Sequence, residues 1–108
     1  MVPSIRFPFG QVPDLDRETI VRRLMPLLSG HNASLRLFGS RARGDAGSRS
    51  DIDLVTVSAK PLSADLLARI REALEDAPIP FRADVVDYRS VAPELRQAID
   101  REGIAWIA

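Results

Sequence analysis

Residues 38–55 read F-G-S-R-A-R-G-D-A-G-S-R-S-D-I-D-L-V, and no other stretch limits the possible fold as strongly. An apolar run ending at Phe38 stops at Gly39-Ser40. Ten residues then separate Ser40 from Asp51, and Asp51 and Asp53 open a second apolar run, Leu54 to Val57. If residues 51–58 form a strand, Asp51 and Asp53 share a face, because strand side chains alternate. Their Cα atoms then lie roughly 6.5–7 Å apart at ~3.3 Å rise per residue. Carboxylates at that spacing suit a pair of hard cations ~3.5–4 Å apart. The Gly39-Ser40 turn lets backbone come close to a phosphate. Together these residues predict a metal–nucleotide site.

The rest of the chain predicts how that stretch is supported. Residues 1–13 carry three prolines with Phe7 and Phe9 and read as an extended arm, with room for a short edge strand. Asp14 or Asp16 can cap a helix over residues 17–28, where Ile20, Leu24, Leu27 and Leu28 recur at helical spacing. Pro26 should kink that helix or tighten its last turn. Ser34–Phe38 reads as the first core strand and residues 51–58 as the second, central one. Residues 39–50 read as loop, with one helical turn at Ser40–Arg43. Ser63 caps a helix through residue 76, and Ala77-Pro78-Ile79-Pro80 is a rigid connector. Residues 81–86 form a third strand containing Asp84. Ser90 is expected to cap a last helix with Pro93 in its first turn, Leu95 and Ile99 inward, and Gly103 as its stop. Ile104–Ile107 is apolar enough to be buried. Alternating strands and helices predict an α/β (α+β) fold, a small mixed sheet with flanking helices. The 108 residues make one domain, 1–108.

Composition excludes several classes of function. Fifteen basic residues balance fifteen acidic ones, so binding of duplex nucleic acid through its backbone is not expected. No apolar run approaches the ~20 residues of a membrane span. Residues 1–6 lack the basic start and long apolar centre of a signal peptide. Cysteine is absent, which rules out disulfides and thiolate metal sites and fits a cytoplasmic location.

Gly39-Ser40, ten residues, Asp51-Ile52-Asp53 and a later Asp84 resemble the DNA polymerase β-like nucleotidyltransferase superfamily. The fuller string G-S-R-A-R-G-D-A-G-S-R-S-D-I-D-L is similar to the minimal nucleotidyltransferases, many of them antitoxin partners of HEPN ribonuclease toxins. The resemblance spans residues 14–107. It implies that Asp51, Asp53 and Asp84 bind two Mg²⁺ ions, with Asp84 helping to deprotonate the acceptor. It implies that Gly39 and Ser40, with Arg43, hold the phosphates of ATP. The implied reaction is transfer of AMP to a hydroxyl, that of a tyrosine on a HEPN toxin. Two alternatives stand beside it: an antitoxin acting by occlusion, and an enzyme acting on a small molecule such as an aminoglycoside.

Other residues carry bland readings next to functional ones. Arg41, Arg43 and Arg49 either contact phosphate or an acidic partner, or form a solvated loop that screens the carboxylates. Asp87, three residues beyond Asp84, should face the opposite way and serve as a cap or turn residue. His31 is expected in a loop without a chemical role, and Tyr88 and Trp106 are expected to pack.

Overall fold

The computed structural model describes residues 9–47 and 49–108. The order is α1 (Asp14–Leu28), β1 (Ser34–Phe38), α2 (Ser40–Arg43), β2 (Ile52–Val57), α3 (Ala64–Glu75), β3 (Ala83–Asp87), α4 (Pro93–Glu102) and β4 (Ile104–Ile107). The strands form one sheet in the order β3-β2-β1-β4. β2 and β3 are parallel, joined through α3, and β1 is antiparallel to both β2 and β4. No helix among the described residues is long and apolar enough to cross a membrane.

The two faces of the sheet differ because strand side chains alternate. One face of β1 and β2 carries Leu35, Leu37, Ile52 and Leu54, all fully buried. α1 and α3 cover it with Ile20, Leu24, Leu28 and Ile70. The other face carries Phe38 and Val55, on which α4 lays Ile99. Asp53 and Asp84 belong to this second face, since Asp53 pairs with Phe38 across β1 and with Asp84 across β3.

Several expected boundaries move. α1 starts at Asp14, with Pro13 before it, so Asp14 and Asp16 lie inside the first turn and are not caps. Carboxylates there still complement the helix dipole. Pro26 lies inside α1 without tightening its last turn, which the Ser29 N–H still closes on the Met25 carbonyl; beyond Leu28 the chain runs through a 3₁₀ turn, Ser29–His31, ended by Asn32 at φ 49°. Ser63 caps α3 as expected, accepting the Leu66 N–H at 3.1 Å. Ser90 does not cap α4. It closes a 3₁₀ turn, Tyr88–Ser90, while Ala92 is the residue before the helix and Pro93 its first. The proline is the reason, because it drives the residue before it into extended backbone, and Ala92 has ψ 152°.

Gly103 ends α4, but in extended rather than left-handed backbone, φ −63° and ψ 135°. Glycine is needed there for space, since an added Cβ would come 2.5 Å from the Ile99 carbonyl oxygen. The chain passes straight into β4, so the apolar tail is an edge strand, and within it Ile107 alone is buried. Part of the expected N-terminal arm, residues 1–8, lies outside the described residues. Phe9 beside it is tied down: its carbonyl accepts the Trp106 Nε1–H at 2.8 Å and its ring lies 4.1 Å beneath the Arg17 guanidinium.

Candidate active site

Asp53 lies in β2, the central strand, and Asp84 lies directly beside it on parallel β3. Paired residues of neighbouring strands project from the same face. Asp51 immediately precedes β2 and is exposed; two residues from Asp53, it keeps the alternation that the sequence predicts. The parallel register of β2 with β3 therefore gathers carboxylates that lie 31 and 33 positions apart along the chain.

The Gly39-Ser40 turn sits against this group. Gly39 follows β1 with φ 77° and ψ −159°, a backbone essentially confined to glycine. An added Cβ at Gly39 would come 2.5 Å from Asp53 Oδ2. Gly39 is therefore fixed twice, by its backbone angles and by the carboxylate packed on it. Ser40 begins the short α2, and Gly44, at φ 86°, ends it with its N–H on the Ser40 carbonyl.

The electrostatics follow from this crowding. Asp53 is half-buried, and its pKa is raised above the ordinary carboxylate range, first by burial and then by repulsion from Asp51 and Asp84, with Arg43 opposing. Asp84 Oδ1 accepts the N–H of Val85 at 2.9 Å. Among the described residues, no three carboxylate or imidazole groups close on one point tightly enough to hold a metal ion. The donor set nevertheless has the chemistry of a hard divalent cation site. It is all oxygen, it is anionic, and its central member is repelled by both of its neighbours, which a cation would relieve.

The three arginines take three different places. Arg43 is at the site. Its guanidinium donates to Asp45 at 3.1 Å and to Glu102 Oε1 at 3.2 Å, and these two acids hold it firmly protonated. Arg49 is exposed in the loop. Arg41 does not belong to a solvated loop, because it is buried, 4% exposed. Its Nε–H donates to the Ser50 carbonyl at 2.8 Å and its Nη1 to the Gln11 carbonyl at 2.7 Å. Its guanidinium also stacks 4.3 Å from the Phe81 ring. Arg41 thus anchors the residue before Asp51 and the lead-in to β3.

Two contributions were missed from sequence. Arg41 offers no local signal, since it lies in a polar stretch of sequence and two of its partners, Gln11 and Phe81, are remote in the chain. Glu102 offered a faint one: it falls three residues after Ile99 and seven after Leu95, on the inward side of α4. Its carboxylate accepts the Gly39 N–H at 3.3 Å. Asp87 is a cap, as expected, taking the Leu62 N–H at 2.9 Å and the Arg89 N–H at 3.2 Å. His31 is exposed, and Tyr88 donates its hydroxyl to Asp100 at 3.0 Å.

Comparison with known proteins agrees with this geometry. The profile of the family described as "Polymerase beta, Nucleotidyltransferase" matches residues 31–107. A Haemophilus influenzae protein described as "probable protein adenylyltransferase MntA" is 32% identical over 82 residues, covering 76% of this chain and 68% of its own length. A solved structure provisionally described as a minimal nucleotidyltransferase superposes with TM-score 0.62 at 37% identity, covering 86% of this chain and 98% of that one. A crystal structure of a toxin–antitoxin with AMP-PNP gives TM-score 0.62 at 25% identity, covering 79% and 70%.

Proposed function

This chain belongs to the polymerase β nucleotidyltransferase family, and on that footing we propose that it transfers AMP from ATP to a tyrosine hydroxyl of a HEPN ribonuclease toxin, acting as its antitoxin. The observation that carries the reading is the pairing of Asp53 with Asp84 across β2 and β3, with the Gly39 turn packed on the Asp53 carboxylate.

Each residue has a role that its position supports. The Gly39 N–H, the Ser40 hydroxyl and the Arg43 guanidinium hold the β- and γ-phosphates of ATP. Asp51, Asp53 and Asp84 would hold Mg²⁺, which when bound neutralises charge on the transferring phosphoryl group. Arg41 fixes the backbone at Ser50 and so aims Asp51. The acceptor oxygen bonds to the α-phosphorus while the bond from that phosphorus to the bridging oxygen breaks, and pyrophosphate leaves. The acceptor proton passes to Asp84, which is exposed at the edge strand where a docked hydroxyl can reach it. Asp53 is too enclosed for that task and is suited to holding a cation.

The protein relatives support a macromolecular acceptor, one being described as a protein adenylyltransferase and one solved as a toxin–antitoxin. Incubation of the chain with ATP, Mg²⁺ and its HEPN partner, followed by intact mass spectrometry, tests the reading. Each transfer should add about 329 Da, the mass of one AMP group in this reaction class. The partner should stay inactive after the antitoxin is removed. If the partner regains full activity on separation, with no added mass, occlusion is the mechanism and the transfer assignment is wrong.

A further inference from the structure

Glu102 is the last residue of α4, and its carboxylate does what a phosphate oxygen does at a nucleotide turn. It accepts the Gly39 N–H at 3.3 Å and pairs with the Arg43 guanidinium at 3.2 and 3.4 Å. Its side chain is 17% exposed, so this is an inward placement. Leu95 and Ile99 on the same side of α4 pack in the small cluster on Phe38 and Val55, and the helix direction delivers the next inward residue to Gly39. An apolar or small residue would serve that packing without placing a negative charge at the Gly39 turn. A carboxylate on a half-buried, already anionic face needs compensation, and Arg43 with the Gly39 N–H supplies it.

Resting on the nucleotidyltransferase reading, we infer that Glu102 is a displaceable stand-in for the terminal phosphates, occupying Gly39 and Arg43 until nucleotide takes both from it. The same two donors cannot serve Glu102 and a phosphate oxygen at once, and the two anions repel each other. A terminal phosphate carries more charge than a carboxylate and offers three oxygens to Arg43, so it wins the exchange. Glu102 then turns toward solvent from the end of α4, and Arg43 keeps an anionic partner throughout. In the absence of nucleotide, Glu102 holds Arg43 in place above the turn. The cost of that arrangement is weaker nucleotide binding, because each binding event must break the ion pair.

The test is calorimetric titration of the full chain with AMP-PNP in Mg²⁺, and separately with AMP, which lacks the terminal phosphates. Glu102→Gln keeps the shape and removes the charge. It should bind AMP-PNP about two- to fivefold more tightly than the parent, the range carried by an accessible ion pair. Its affinity for AMP should be unchanged. Asp100→Asn removes a charge from the same helix, away from Gly39, and should match the parent with both ligands. In an amide NMR spectrum, Glu102→Ala should shift the Gly39 resonance of the free protein, and AMP-PNP should shift it in the parent. Equal or weaker AMP-PNP binding by Glu102→Gln overturns the inference and leaves the nucleotidyltransferase reading standing. So does an equal gain for AMP, which would mark a general charge effect. If neither the parent nor the variants bind AMP-PNP, the nucleotidyltransferase reading falls and the stand-in with it.

Discussion

The two faces of the sheet are built on opposite principles. Beneath α1 and α3, fully buried Leu, Ile and Val side chains from two helices and three strands interlock. Beneath α4, three residues are buried, Phe38, Val55 and Ile99, with partly buried Val57, Val86, Tyr88, Val91 and Leu95 packed around them, and the same face carries Asp53 and Asp84. The first face removes apolar area from water and supplies most of the stability. The second keeps charges close together and open to solvent, which costs stability and makes room for ligands. β2 belongs to both: Ile52 and Leu54 point into the dense face and Asp53 into the thin one. A rigid apolar backing is what lets a strand hold repelling carboxylates in fixed positions.

The largest expected effect lies on the thin face and concerns rate alone. Replacing Asp51 and Asp53 together by Asn should lower AMP transfer by roughly three orders of magnitude or more, because positioned charge carries most of this chemistry. Folding, followed by circular dichroism, should be intact. Transfer at the parental rate would break the division of labour between the faces.

Next in size is a matched pair of core truncations. Ile70 and Ile99 are both fully buried, one on each face. Ile70→Ala should cost about 3–5 kcal/mol and Ile99→Ala about 2–3 kcal/mol in urea unfolding, since α4 can settle onto the small cluster while the dense face cannot collapse. Equal costs would mean that the thin face is packed as tightly as the other.

Gly39→Ala should destabilise by about 1–3 kcal/mol from its backbone angles, to which the clash with Asp53 adds. Nucleotide titration of the same variant should show weakened binding. An unchanged melting temperature would show that the turn relaxes freely and is not pinned by the carboxylate.

The smallest effect is a pH dependence. Asp53 titrates above its unfolded value, so its ionisation opposes folding. The penalty is absent below the unfolded carboxylate range, grows as pH rises toward the raised folded value, and is complete above it. Asp53→Asn should therefore raise the melting temperature at pH 7 by about 2–5 °C, a modest shift for a domain this size, and by nothing near pH 3. A gain of equal size at both pH values would assign the effect to packing instead of charge.

Much of the dense face was legible in advance. The spacing of Ile20, Leu24 and Leu28 announces α1, and the short apolar runs around Leu37 and Leu54 announce β1 and β2, because burial imprints its period directly on the chain. Of the candidate site, the turn and the two aspartates of residues 51–53 were legible for the same local reason. From sequence alone β4 reads as a buried tail and not as a strand, since four apolar residues carry no period long enough to identify. Ser90 does not serve as the cap because the extended backbone that Pro93 demands at Ala92 outweighs a favourable side chain two residues earlier.

By itself the sequence determined which residues share a face: Asp51 with Asp53, Ile52 with Leu54, Leu95 with Ile99 and Glu102. Those relations follow from backbone periods of two and 3.6. Only the tertiary structure decided which faces meet. It set Asp84 beside Asp53 through the parallel register of β2 and β3, buried Arg41 among Gln11, Ser50 and Phe81, and carried Glu102 across 63 residues to the Gly39 N–H. The physical reason is that local periodicity fixes the direction in which a side chain points. The neighbour it finds there is chosen by the burial of the whole core, to which every element contributes at once.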